Sequence, residues 1–188
     1  MASNAPLRNP RLYQQIATDF RKLYNPAHAW ADAISMYLSL PHLRGFWPMT
    51  SINENGDVYD LSGQGRTLTN NGSVAFGTDG LVSYVNLATS GEYLSRPHEP
   101  GIDITGGLTA GCWFKKTGSE TAGKILGKWI PFMFSLSGTV IRFQIYNSSS
   151  GSTFATYSPY SNNQWYFLAG RYEPGTTLAI RVNEYSST

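Results

Sequence analysis

Cysteine, charge and long apolar runs are all scarce in this sequence of 188 residues, and each scarcity excludes a class of protein. The single cysteine, Cys112, excludes a disulfide framework within one chain and a zinc site built from several cysteines. No apolar run approaches the roughly 20 residues of a membrane-spanning helix. Residues 1–10 lack the apolar stretch of a signal peptide, so secretion by that route is not expected.

Charged residues make up only 14% of the chain, against roughly 25% in typical soluble domains. Residues 44–188 contain ten basic and ten acidic residues, and residues 1–43 contain four basic and two acidic ones. Nucleic-acid binding needs a basic stripe that contacts phosphates. The balanced charge therefore predicts no nucleic-acid partner, and the small positive excess in residues 1–43 is too weak to predict membrane binding.

Residues 1–43 have the pattern of a helical arm. Asn9-Pro10 and Asn25-Pro26 each have the pattern of a helix start, because Asn is a favoured N-cap and Pro a favoured first helical residue. Apolar residues recur at helical spacing, which predicts helices over about 10–24 and 26–39. A stripe this short cannot bury itself, so we expect it to dock onto another chain. The expected assembly residues are Leu12, Ile16, Phe20, Leu23, Trp30, Ile34 and Leu38.

Residues 44–188 are typical of a mainly β domain. Short runs rich in aromatic and β-branched residues alternate with clusters of Gly, Asn and Ser. Many short strands at regular spacing indicate a jelly-roll β-sandwich. The clearest predicted strands are residues 81–87, 108–115, 124–129, 132–136, 140–146, 165–172 and 178–182. The predicted core comprises Phe46, Trp113, Phe143, Ile145, Trp165, Phe167 and Leu178.

Motifs in this β half resemble those of laminin-G-like domains, which are concanavalin A-type jelly rolls. An aromatic segment leads into a D-x-S-G-x-G turn, and tryptophan-bearing strands follow in the family's order. The resemblance covers about residues 44–185 and implies a lectin-like sandwich that binds glycans or proteins at a surface. The matching segments are GFWPM at 45–49, VYDLSGQG at 58–65, EYL at 92–94, IDIT at 102–105, LTAGCWF at 108–114, QWYFLAGRY at 164–172 and LAIRVN at 178–183.

The resemblance also implies a closing strand whose pattern is absent from this sequence. The family's Asn-Gly hairpin is Asn183-Glu184 here, and no closing-strand pattern follows it. In the family that strand pairs near the first strand, around Phe46. The sequence therefore predicts an incompletely paired sheet edge beside residues 45–49, covered either by a segment of a neighbouring chain or by further residues of the same chain beyond Thr188.

Asp60 and Asp57 are the candidate metal ligands. Carboxylates in a segment rich in Asn and Gly can supply the oxygen ligands that Ca²⁺ prefers, and some laminin-G-like domains bind calcium. The alternative, which the sequence favours, is that Asp60 caps the tight turn at Ser62-Gly63 with its own side chain. Ca²⁺ is the one cofactor considered, and no other is expected.

The candidate ligand-binding residues lie in loops rich in Tyr, Ser and Asn. This composition offers rigid aromatic area beside adaptable hydrogen bonds, as in antibody paratopes, although surface loops are polar in any sandwich. Tryptophan rings can also stack on sugars, but the apolar strands around Trp113 and Trp165 favour a core position for both. The candidate ligand residues are Trp129, Tyr146, Asn147, Tyr157, Tyr160 and Asn162.

No catalytic set is evident, so the sequence predicts a non-enzymatic protein. Jelly-roll glycosidases need two carboxylates facing one sugar, and the predicted strands hold almost no acidic residues. A lectin-like sandwich without an export signal predicts a bacteriophage virion protein, because lysis releases virions. The arm would dock onto other virion proteins of the head or tail, in a homo-oligomer, and the sandwich would be displayed for glycan or host-surface binding. The alternatives are a glycan-active enzyme or its accessory carbohydrate-binding module, a purely structural decoration protein, and an extracellular location.

Overall fold

The described part of the chain is mainly β and antiparallel. The predicted helical arm and its assembly residues lie outside it, and no helix within it is long and apolar enough to cross a membrane. The described residues divide into two compact units, one ending at Ile102 and the other beginning at Asp103. The computed structural model describes residues 42–50, 52–79, 82–103, 106–128, 131–146 and 151–185.

The first unit contains four short strands in two antiparallel pairs. Among its described residues the buried apolar side chains are Val58 and Val74, and a short 3₁₀ turn spans Pro100–Ile102. β1 pairs with β4, and β2 pairs with β3. The strands are β1 (Thr69–Asn71), β2 (Ala75–Asp79), β3 (Val82–Asn86) and β4 (Tyr93–Ser95).

Residues 45–49, where the resemblance implies the family's first strand, form no strand. Pro48 has no N–H to donate to a ladder, and Met49 adopts a φ of 60°, which extended backbone does not allow. Phe46 is held instead by individual hydrogen bonds. Its N–H donates to Asp60 Oδ1 at 2.9 Å, and its carbonyl accepts from the N–H of Leu61 at 2.8 Å.

The second unit contains two antiparallel sheets. The three-stranded sheet has the order β11-β10-β5 and the four-stranded sheet the order β6-β7-β8-β9. The bounds predicted for β5 and β8 are confirmed, and β9 is a strand that the sequence pattern did not predict. The strands are β5 (Leu108–Lys115), β6 (Ala122–Lys128), β7 (Phe132–Ser137), β8 (Val140–Tyr146), β9 (Ser152–Tyr157), β10 (Trp165–Glu173) and β11 (Thr177–Tyr185).

The core of the second unit lies between its two sheets, as in a β-sandwich. Phe143 and Ile145, both predicted in the core, are buried there, and Leu178 packs against them. The four-stranded sheet also contributes Phe132, Phe134 and Ile141, and the three-stranded sheet contributes Tyr166 and Leu168.

The predicted core positions of Trp113, Trp165 and Phe167 are wrong. Successive strand residues point to opposite faces, and Tyr166 and Leu168 occupy the core face of β10. Trp165 and Phe167 therefore lie on the outward face of the three-stranded sheet, and Trp113 lies there because it is directly opposite Phe167.

Candidate functional site

The Asp60 carboxylate has the hydrogen bonds of a turn cap. Its Oδ1 accepts from the N–H groups of Phe46 and Ser62, both at 2.9 Å. Its Oδ2 accepts from the Ser62 hydroxyl at 2.8 Å and from the N–H of Arg66 at 3.0 Å. Asp60 thus joins two separate segments of the first unit by hydrogen bonds alone.

The Asp57 carboxylate has a similar role in the neighbouring turn. Its Oδ1 accepts from the N–H of Asn70 at 2.8 Å, and its Oδ2 accepts from the Asn53 amide at 3.0 Å. These hydrogen bonds lower the pKa of Asp57, the backbone bond from Asn70 most. Within the described ranges, no group of three or more His, Cys, Asp or Glu residues is placed to hold a metal ion, and the calcium site stays a prediction.

Three of the predicted ligand residues, Tyr157, Tyr160 and Asn162, belong to one continuous segment that ends β9 and leads towards β10. The Tyr160 hydroxyl donates to the Gly138 carbonyl at 3.2 Å, and burial raises the pKa of Tyr160. Asn162 Oδ1 accepts from Lys116 Nζ at 3.1 Å. Tyr157 packs against the core. These side chains hold the loop in place, and the polar groups of Tyr160 and Asn162 have partners within the protein.

The remaining predicted ligand residues do not join this group. Tyr146 pairs with Ser152, whereas Tyr157 pairs with Ile141, five residues back along β8. At about 3.3 Å per strand residue, Tyr146 and Tyr157 lie roughly 16 Å apart along the sheet. Trp129 and Asn147 are outside the described residues. The described members of the predicted set therefore do not form a single site.

The outward side of the three-stranded sheet carries a cluster that the sequence prediction missed. We call Trp113, Lys115, Trp165 and Phe167 the aromatic face. Trp165 lies opposite Lys115, and Phe167 lies opposite Trp113. The rings of Trp113 and Phe167 are 5.3 Å apart, and Lys115 Nζ lies 5.6 Å from the Trp165 ring centroid, within cation–π distance.

Small residues continue the aromatic face towards the other end of the sheet. Gly111 lies opposite Ala169, which lies opposite the exposed Arg181 on β11. A Cβ added at Gly111 would come within 3.1 Å of the Phe167 ring, so the ring packs directly over this glycine. The result is an aromatic surface beside a flat region of small side chains, with a guanidinium at its margin.

One signal in the sequence could have placed these aromatic residues on the outward face. The β10 run WYFLAG is apolar at both alternating sets of positions, so hydrophobicity alone cannot select the core face. Gly170 decides between them, because a Cβ there would come within 2.5 Å of the Phe143 ring. A glycine in a strand interior marks such a close approach.

Other reactive groups in the second unit are poorly placed for catalysis. Burial raises the pKa of the Cys112 thiol to about 12, which disfavours the nucleophilic thiolate. Two shallow clefts, of about 280 and 370 Å³, flank the turn between β10 and β11, and Glu173 is the sole acidic residue among those described as lining them. Glu173 also pairs with Arg171.

Comparison with protein-family models, with curated proteins and with solved structures finds no match to this chain. The resemblance to laminin-G-like domains therefore stays a prediction from the sequence motifs. The described residues form a mainly β protein with a sandwich-like second unit.

Proposed function

We propose that this chain is a non-enzymatic adhesion protein whose sandwich binds a glycan through the aromatic face. The observation that carries the proposal is the outward position of Trp113, Trp165 and Phe167 on a sheet whose other side already forms a core. The three side chains are half-buried, and the part of each ring that stays accessible offers apolar area to a ligand. Ring faces suit the apolar C–H faces of sugars for the same electrostatic reason that they attract cations.

The polar surroundings of the aromatic face suit an uncharged ligand with many hydroxyl groups. Lys115 and Arg181 supply hydrogen-bond donors, and the small side chain of Ala169 leaves room beside the rings for a flat ligand. This combination of apolar contact area and a few polar groups is typical of small-molecule sites.

The engagement of three acidic residues in structural contacts supports the non-enzymatic part of the proposal. Asp57 and Asp60 accept hydrogen bonds that hold turns, and Glu99 pairs with Arg66 and Arg96. A glycosidase needs two carboxylates facing one sugar, one of them free to donate a proton. The proposal has three further parts, which rest on the sequence. The sandwich belongs to the laminin-G-like family, the arm docks onto other virion proteins, and the protein is displayed on a phage virion.

A glycan array tests the binding site. We expect the wild-type chain to bind a subset of glycans, and Trp165→Ala and Phe167→Ala each to weaken that binding about tenfold or more, the equivalent of roughly 1.4 kcal/mol. Tyr93→Ala is the matched control, because it removes an exposed aromatic residue from the first unit. Unchanged binding by both aromatic-face variants would place the site elsewhere.

Two further outcomes separate the alternative functions. A wild-type chain that binds no glycan would favour the decoration protein. Release of reducing sugar from a bound glycan would favour the glycan-active enzyme, and the non-enzymatic proposal would then fail.

A further inference from the structure

The outward side of the four-stranded sheet carries a row of hydrogen-bond donors. Lys124, Ser135, Arg142 and Thr156 lie opposite one another on β6, β7, β8 and β9 in turn, and we call them the donor row. They point away from the core because Phe134, Ile141 and Phe143 occupy the alternate positions. The row contains two cations, two hydroxyl groups and no acidic residue.

Arg142 is the centre of the donor row. Its Nε is buried and has no hydrogen-bond partner among the described residues, and no carboxylate in the described part of the chain pairs with it. Buried polar groups in proteins are nearly always hydrogen-bonded. Arg66 and Arg171, by contrast, each have a carboxylate partner. Within the described residues, the Arg142 guanidinium is therefore a cation without a carboxylate counterion.

An exposed aromatic ring lies beside this guanidinium. The Arg142 guanidinium carbon lies 5.0 Å from the ring centroid of Phe154, and Phe154 is 51% exposed. Phe154 is directly opposite Gln144 on β8, which places it one step along the sheet from the donor row. Charge and apolar area are thus adjacent on the outward side of this sheet.

We propose that the donor row binds the carboxylate groups of an acidic polysaccharide. The planar guanidinium of Arg142 matches a carboxylate in a bidentate arrangement, and the Phe154 ring contacts the apolar face of the sugar. Neighbouring strands are about 4.8 Å apart, so the exposed Lys124 and Thr156 and the half-buried Arg142 present donors at intervals along an extended chain with repeated charges, whereas Ser135 is buried. An exposed ring beside a guanidinium suits a sugar that carries a carboxylate, because the ring contacts the apolar face of the sugar while the guanidinium binds its charge. The donor row is on the opposite sheet from the aromatic face, so this site is independent of the proposed function.

Binding of the full chain to immobilised polygalacturonate tests the proposal, with dextran as the neutral polymer. We expect wild-type binding that weakens with rising salt, loss of about tenfold or more in Arg142→Gln, and partial retention in Arg142→Lys, which keeps the charge but not the planar fork. Arg171→Gln is the matched control, because it removes one positive charge at an exposed position away from the row. Trp165→Ala should leave this binding unchanged.

A second measurement guards against a variant that fails to fold. In the wild-type chain, monomeric galacturonate should shift the NMR resonance of the Arg142 Nε–H, and glucose should not. Equal binding by wild type and Arg142→Gln would overturn the proposal, as would an unmoved Nε–H resonance.

Poly-glutamate that binds as tightly, with the same dependence on Arg142, would overturn the assignment of a polysaccharide ligand and identify an acidic peptide instead. Binding to dextran that depends on Trp165 and not on Arg142 would support the aromatic face alone and overturn the donor row.

Discussion

Tyr166 connects the core of the second unit to the loop before β10. Its side chain is 1% exposed, and its hydroxyl accepts a hydrogen bond from the N–H of Ser161 at 2.7 Å and donates to Gln164 Oε1 at 3.3 Å. A buried tyrosine normally finds such partners for its hydroxyl. The two residues that flank it, Trp165 and Phe167, face the other way, so their substitution should affect binding more than stability.

The difference between the two faces of β10 is measurable in urea unfolding. Leu168→Ala should lower the free energy of unfolding by about 3 kcal/mol, because Leu168 is fully buried. Trp165→Ala should lower it by about 1 kcal/mol or less, because Trp165 is outside the core. A larger loss for Trp165→Ala than for Leu168→Ala would contradict the assignment of faces.

Gly170 gives a second test at the residue scale. A methyl group there would approach the Phe143 ring to 2.5 Å, so Gly170→Ala should destabilise the protein by about 1–3 kcal/mol through overpacking. Gly123→Ala is the control, because an added Cβ at Gly123 meets nothing within 4 Å. Equal melting temperatures for the two variants would show that β10 does not approach Phe143 in this way.

At the scale of elements, the local sequence pattern predicted those strands whose own residues are rich in apolar and aromatic side chains. β5 and β8 are long and rich in apolar and aromatic residues, and glycine-containing turns precede both, so their bounds follow from the sequence. β1 has the sequence TNN, with no apolar residue, and exists through its pairing with β4. β9 likewise depends on β8. Strands of this kind form because they pair with a neighbouring strand. A local sequence pattern does not contain information about that pairing.

The turn around Asp60 supplies a prediction at the same scale. Asp60→Ala removes the acceptor for three backbone N–H groups and the Ser62 hydroxyl, so it should cost about 2–3 kcal/mol in urea unfolding. If hydrogen bonds alone explain Asp60, Ca²⁺ should leave the wild-type melting temperature unchanged. A rise in melting temperature with Ca²⁺ that Asp60→Asn abolishes would favour the calcium alternative.

At the scale of the whole molecule, the division after Ile102 was not predictable from composition. No charged or low-complexity linker marks this boundary, and residues 102–105 match one of the laminin-G-like motifs. The candidate binding surfaces could not be predicted from the sequence for a related reason. Trp113 and Phe167 are far apart in sequence and meet only through strand register, and register likewise places Lys124 and Arg142 in one row across the sheet. The sequence could therefore predict the residue types of a binding surface but not their arrangement.

The second unit contains a core of its own, and we expect it to fold when expressed alone as residues 103–188. The buried cluster and its partly buried neighbours all come from β5 to β11, between Leu108 and Val182. Domains of this size bury enough apolar surface to be independently, if marginally, stable. The fragment should show a β-type circular dichroism spectrum and one cooperative thermal transition, and Leu168→Ala within it should abolish or strongly lower that transition. A fragment without a cooperative transition, under conditions where the full chain unfolds cooperatively, would show that residues 1–102 contribute essential stability to this core.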